Sequence, residues 1–249
     1  MVREPASGQG GLKSIVDIDD ERIRQAIKHT EILRAPKQRL YTFGTTNIYY
    51  YLVTEPAYSE LVKNITETVV REGRVIAEKP RIVTPYYLSR VEGFSSEARR
   101  YFEALVQEHG TDIPGLFYTY SNEPKELTIV ADSLRSVVDK LNAEIDKRGN
   151  PLAAIIKGED ELWDVSLMKF IYEMTRSSLP DNLEQLGSRG LLDIDMAGIP
   201  ADARVRIDEL FEKVAKGERQ PGELKDELDH WSLFEEYQDR FFNIFKKKR

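Results

Sequence analysis

The hydrophobic pattern changes period at Gly149-Asn150-Pro151, and that change restricts the chain to a mixed architecture. Upstream, short apolar and aromatic runs are separated by turn-forming residues and by amphipathic stretches. Downstream, apolar residues recur at spacings of three and four, the helical period. A period-two strand and a period-3.6 helix cannot exchange roles without turning apolar side chains to solvent. Strand–helix alternation never runs long enough for a doubly wound sheet. The expected class is α+β: an antiparallel, hairpin-rich sheet with packed helices, followed by a mainly helical C-terminal region.

Residues 1–14 are small and polar, with Gly8, Gly10 and Gly11 close together, and read as a flexible arm. An antiparallel α+β unit is expected over 15–149 and a helical unit over 151–249. A Gly-Asn-Pro turn is too short for a flexible linker, so the two can share one core. The first helix is expected from Asp19 to Leu33, opened by acidic residues and stopped by Pro36. Leu40–Phe43 and Asn47–Val53 read as strands joined at Gly44-Thr45-Thr46. Ile65–Val70 and Arg74–Ala77 read as a second hairpin turning at Arg71-Glu72-Gly73. Arg81–Thr84 is a short strand between prolines. Ser95 or Ser96 caps a helix to Glu108. Leu116–Tyr120 and Glu126–Val130 form a third hairpin around Ser121–Lys125, and Asp132 or Ser133 caps the helix that ends at Gly149. Four helices follow: Glu159–Met174, a short one opened by Pro180, one after Pro200, and the longest from Glu223 to Phe245.

Composition narrows the chemistry. The chain of 249 residues has no cysteine, which excludes disulfides, thiolate nucleophiles and thiolate-bound metals. His29, His109 and His230 are widely spaced and form no local metal motif. Asp112 lies near enough to His109 in sequence to orient its ring. The segment MVREPASGQGG lacks the apolar core of a signal peptide, and no apolar run approaches the roughly 20 residues of a membrane span. A cytoplasmic protein is therefore expected. The net charge of −7 is uneven: residues 151–245 carry −10 and residues 1–150 carry −1, while Lys246–Arg249 add +4. That acidic half opposes a duplex-wrapping surface.

Four constellations carry candidate function. Tyr49 and Tyr51 share one face of a strand, where aromatic rings can stack a ligand or simply pack across strands. Arg71, Arg74 and Arg81, with Tyr86 nearby, interleave basic and aromatic residues as a phosphorylated ligand or single-stranded nucleic acid would require. Asp193 and Asp195 share a face if extended and can hold a divalent metal. Trp231, Phe234, Phe241 and Phe245 give the terminal helix more apolar surface than one narrow stripe needs, which suits core docking or a subunit interface.

The leading functional expectation is a recognition or interaction protein that uses an aromatic and basic sheet face, with a protein partner or self-association. A second reading is a metal-dependent enzyme acting on a phosphate-containing substrate or nucleic acid, and only this reading calls for a divalent cofactor. A third is a non-catalytic single-stranded nucleic-acid binding module.

Overall fold

A computed structural model describes residues 21–60, 66–83 and 115–246. The expected arm at 1–14, the helix from Ser95, His109, Asp112 and Tyr86 lie outside the described residues. The contacts divide the chain into two compact units. One takes residues up to Glu78 together with Tyr120–Ser178, and the other takes Lys79–Thr119 together with Leu179 onward.

The first unit holds a five-stranded sheet. Its strands are β1 (Glu31–Arg34), β2 (Thr46–Thr54), β3 (Thr68–Ala77), β6 (Tyr120–Val130) and β7 (Ala153–Lys157), in the order β1-β7-β2-β3-β6. β2 and β3 pair antiparallel, as do β3 with β6 and β1 with β7. β2 and β7 pair parallel, so the sheet is mixed rather than purely hairpin-built. A parallel pair cannot be closed by a tight turn. The return from β6 to β7 is made through the helix α1 (Leu134–Arg148).

α1 starts as expected. Ser133 Oγ accepts the Ser136 amide at 3.3 Å. Asp132 is held down to about 2 by hydrogen bonds from Lys140, Ser136 and the Ser133 amide. Gly149 ends the helix in the left-handed conformation, φ 66°. Val137, Leu141 and Ile145 of α1 pack on Tyr51, Val53, Val70, Ala153 and Ile155, so odd-numbered residues of β2 face this helix.

The opposite sheet face presents Ile48, Tyr50, Leu52, Ala154 and Ile156, all essentially buried. The first part of the helix α2 (Trp163–Gly187) lies against it. Trp163 lies 5.6 Å beneath the Arg71 guanidinium, and Thr175 Oγ1 lies 2.5 Å from Tyr120 Oη.

Several expected boundaries are corrected. Residues 21–29 are helical, but 31–34 are strand β1, so the first helix stops before Leu33. Leu40–Phe43 is not a strand. Arg71-Glu72-Gly73 is no turn, because β3 runs unbroken through it. Ser121–Lys125 is likewise inside β6. In both places a residue read as a breaker has a strand role. The Tyr50 ring crosses directly over Gly73, where a Cβ would fall 2.3 Å from Tyr50 Oη. Pro124, which has no N–H to give a ladder, sits on the edge strand.

β7 follows Pro151, so the sheet extends past the expected unit boundary. α2 also continues through Pro180 rather than restarting there. Around that proline Thr175, Ser177 and Ser178 donate their hydroxyls to carbonyls of the preceding turn, at 2.7 to 2.9 Å.

The described residues of the second unit include the two-stranded sheet of β4 (Arg81–Val83) and β5 (Gly115–Phe117), the end of α2, and the helices α3 (Ala201–Lys216), α4 (Pro221–His230) and α5 (Phe234–Lys246). The expected single helix from Glu223 to Phe245 is two helices. The chain breaks at Ser232, whose φ of 56° lies in the left-handed region. Val83, Ile199, Ala203, Ile207, Phe211, Val214, Leu224, Leu228, Trp231, Leu233 and Phe241 form its core. The core encloses a satisfied polar group: Glu227 Oε1 accepts from Arg206 Nε and Trp231 Nε1, each at 3.0 Å. Among the described residues no helix is long and apolar enough to cross a membrane.

Candidate functional site

Tyr49 and Tyr51 point to the α1 side of the sheet, opposite Arg74 and Glu72 in the register of β3. This brings three expected site residues, Tyr49, Tyr51 and Arg74, onto one face. Below the C-terminal end of α1 the face opens into a cleft of about 160 Å³, lined by Tyr49, Tyr51, Glu72, Lys125, Arg148 and Asn150 among others.

The cleft owes its charges to a β-bulge. Glu72 pairs with Glu126, but the next residue, Gly73, pairs with Pro124, which leaves Lys125 as the extra residue. A bulge re-aims side chains that a regular strand would send elsewhere. Here the Lys125 ammonium lies 5.2 Å from the centre of the Tyr49 ring, a cation–π distance. From α1, Arg148 Nη1 donates to Tyr51 Oη at 3.3 Å and its other terminal nitrogen pairs with Glu144.

These groups set the electrostatics. Burial pushes the Glu72 carboxyl above its ordinary range, and Glu126 and Glu144 push the same way against Arg148 and Lys125. Burial also raises Tyr51, with Glu72 adding to it, Arg148 opposing and Glu144 raising it further. Arg74 is engaged by Glu123, with Nε at 3.0 Å from Oε2. The cleft therefore joins a half-buried carboxyl to two cations and two phenol rings.

The other expected residues lie elsewhere. Arg71 is on the opposite sheet face, bound to Asp160 at 2.8 Å and to Thr54 Oγ1 at 3.2 Å. Asp160 also accepts from Thr54 and the Ala57 amide. Burial acts to raise the Asp160 carboxyl, but these hydrogen bonds outweigh it and hold it low. Arg81 belongs to the two-stranded sheet of the second unit.

Asp195 closes a turn. It accepts from the amides of Ala197 and Ile199 at 2.9 and 3.0 Å and pairs with Arg204 at 2.7 Å. Burial acts to raise Asp195, and those bonds lower it further than burial raises it. Asp193 is exposed. Among the described residues no three His, Asp or Glu side chains are grouped to hold a metal ion.

Of the aromatic set, Trp231 is 1% exposed and is core rather than interface. Phe234 and Phe241 pack into the same core, with their ring centres 5.6 Å apart. Phe245 reaches the surface, as does Phe242.

Glu72, Lys125 and Arg148 were not expected as site residues. Two lie in segments that read as turns, and the third ends a helix whose basic residues suit its carboxyl end. Neither family models, curated proteins nor solved structures give a match to this chain.

Proposed function

We propose that this is a recognition protein, and that its site is the cleft between β2, β3 and the end of α1. Its ligand is a small polar molecule bearing an ammonium group. One observation carries the reading: Glu72, with Glu126 and Glu144 near it, outnumbers the cations Arg148 and Lys125, and two tyrosines wall the same space. A carboxylate beside aromatic faces suits an ammonium group, and Arg148 and Asn150 suit the acceptor end of the same molecule. The volume fits a ligand the size of a small amino acid. As part of this proposal the protein acts in the cytoplasm.

The nucleic-acid reading has less support, because Arg71, Arg74 and Arg148 each have a carboxylate partner. A phosphate strand would compete with three existing ion pairs for the counterion-release gain that drives such binding. The metal-enzyme reading loses its ligand pair, since Asp195 is committed to its own turn.

The test is an amide NMR titration with small amines and amino acids, set beside the same molecules N-acetylated. Saturable shifts confined to Tyr49, Tyr51, Glu72, Lys125 and Arg148 are expected for the free amines, weakened about tenfold by Glu72→Gln and absent with the acetylated set. A tenfold change corresponds to about 1.4 kcal/mol. If none of the amines moves these resonances at millimolar concentration, the proposal fails.

A further inference from the structure

The sheet has two edges, and they are unlike. β1 is four residues long, with charged Glu31 and Arg34 at its ends. β6 is eleven residues long, and every residue from Ser121 to Ile129 is exposed. Among the described residues it has a strand partner on one side only. Exposed edges of this kind are templates for another strand unless charges, proline or bulges blunt them.

The first half of β6 has all three protections: Glu123, Pro124 and the bulged Lys125. The second half, Leu127-Thr128-Ile129-Val130, has none. Leu127 is 57% and Ile129 52% exposed. They sit opposite Arg71 and Val69, hence on one face of the sheet.

We propose that the Glu126–Val130 segment of β6 is a self-association edge, adding antiparallel to the same segment of a second copy and joining two sheets edge to edge. The chemistry of the segment is self-complementary about Thr128. Antiparallel pairing there sets Leu127 against Ile129 of the copy, twice, on one face. On the other it sets Thr128 against Thr128 and Glu126 against Val130. No like charges meet, and apolar and Thr–Thr cross-strand pairs are stabilising. A two-fold arrangement makes each contact in duplicate, which a foreign strand would make once. Five paired residues give a small interface, so the dimer is weak and concentration-dependent.

Sedimentation equilibrium of the full chain, over micromolar to millimolar concentration, tests this. A monomer–dimer equilibrium is expected, with amide exchange of Leu127–Val130 slowing as dimer accumulates. The double variant Leu127→Glu/Ile129→Glu opposes acid to acid at both pairs. It is expected to raise the dimer dissociation constant at least tenfold with an unchanged circular-dichroism spectrum. Mixing it with Leu127→Lys/Ile129→Lys should restore association. A wild type that stays monomeric overturns the proposal, as does a dimer of unchanged affinity in the Glu variant. Protection of these amides only by an added Ile/Thr-alternating peptide would assign the edge to a foreign strand and overturn it too.

Discussion

Gly73 offers the sharpest test of how β2, β3 and β6 are fitted together. Replacing an interior strand glycine by alanine ordinarily stabilises by about 0.5–1 kcal/mol, because glycine has more freedom to lose on folding. Here the sign should reverse. The new Cβ would fall 2.3, 2.4 and 2.7 Å from Oη, Cζ and Cε1 of Tyr50, far inside van der Waals contact. Tyr50 is 1% exposed and donates to Asn122 Oδ1 at 3.0 Å, so its ring cannot swing aside without disturbing the packing and that bond. Overpacking of this kind costs about 1–3 kcal/mol, and the hydrogen bond adds about 1 kcal/mol. After the glycine gain is subtracted, Gly73→Ala should destabilise by roughly 1–3 kcal/mol. The assay is urea unfolding in a double-mutant cycle with Tyr50→Leu, which removes all three clashing atoms. In that background Gly73→Ala should be neutral or stabilising. A neutral Gly73→Ala in the wild type, or an equal cost in both backgrounds, would refute the account of β3 as one strand bridged by Tyr50.

Glu72→Gln should change how stability depends on pH. A carboxyl raised in the folded state binds more protons than its unfolded counterpart, so wild-type stability falls as pH climbs from the ordinary glutamate range through the raised value. The variant should lack that fall, and its advantage over wild type should grow with pH until the raised Glu72 value is passed. Denaturation midpoints measured across the acidic range check the sign. In the second unit, Arg206→Met removes the guanidinium that bridges two buried carboxylates, Glu227, whose side chain is 7% exposed, and Asp202, at 11%. It should destabilise by about 3–5 kcal/mol, while Arg206→Met/Glu227→Met recovers part of the loss in chemical denaturation, the Arg206–Asp202 pair staying broken.

The pieces legible in the sequence were those set by local chemistry. Ser133 and Gly149 bound α1, and Pro200 precedes α3, because caps and proline act within one turn. The misread pieces were decided at a distance. Gly73 reads as a turn until Tyr50 is known to lie across it. Pro124 reads as a break until β6 is known to be an edge. Ala153-Ala154-Ile155-Ile156 lacks alternation because both faces of β7 are covered, and a short apolar run of that kind does not declare its period. At Ser232 neither glycine nor proline marks the break between α4 and α5. Tyr49 and Tyr51 could be grouped from strand parity alone, and Arg74 joins them only through the β2–β3 register. Glu72, Lys125 and Arg148 could not, since their meeting depends on a bulge and on the far end of a helix.

The parallel pairing of β2 with β7 has a consequence for how the molecule is made. β2 is finished by Thr54, yet its neighbour on that side arrives only at Ala153, about a hundred residues later. Until then Tyr49 to Val53 has an open ladder on one flank, and β1 lacks β7, its partner among the described residues. Loop-closure entropy makes such late, long-range pairing slow. On a ribosome adding about 5–20 residues per second, the future centre of the sheet is a raw edge for several seconds. Insertion of β7 turns that temporary margin into the middle of the sheet and supplies the strand that β1 pairs with.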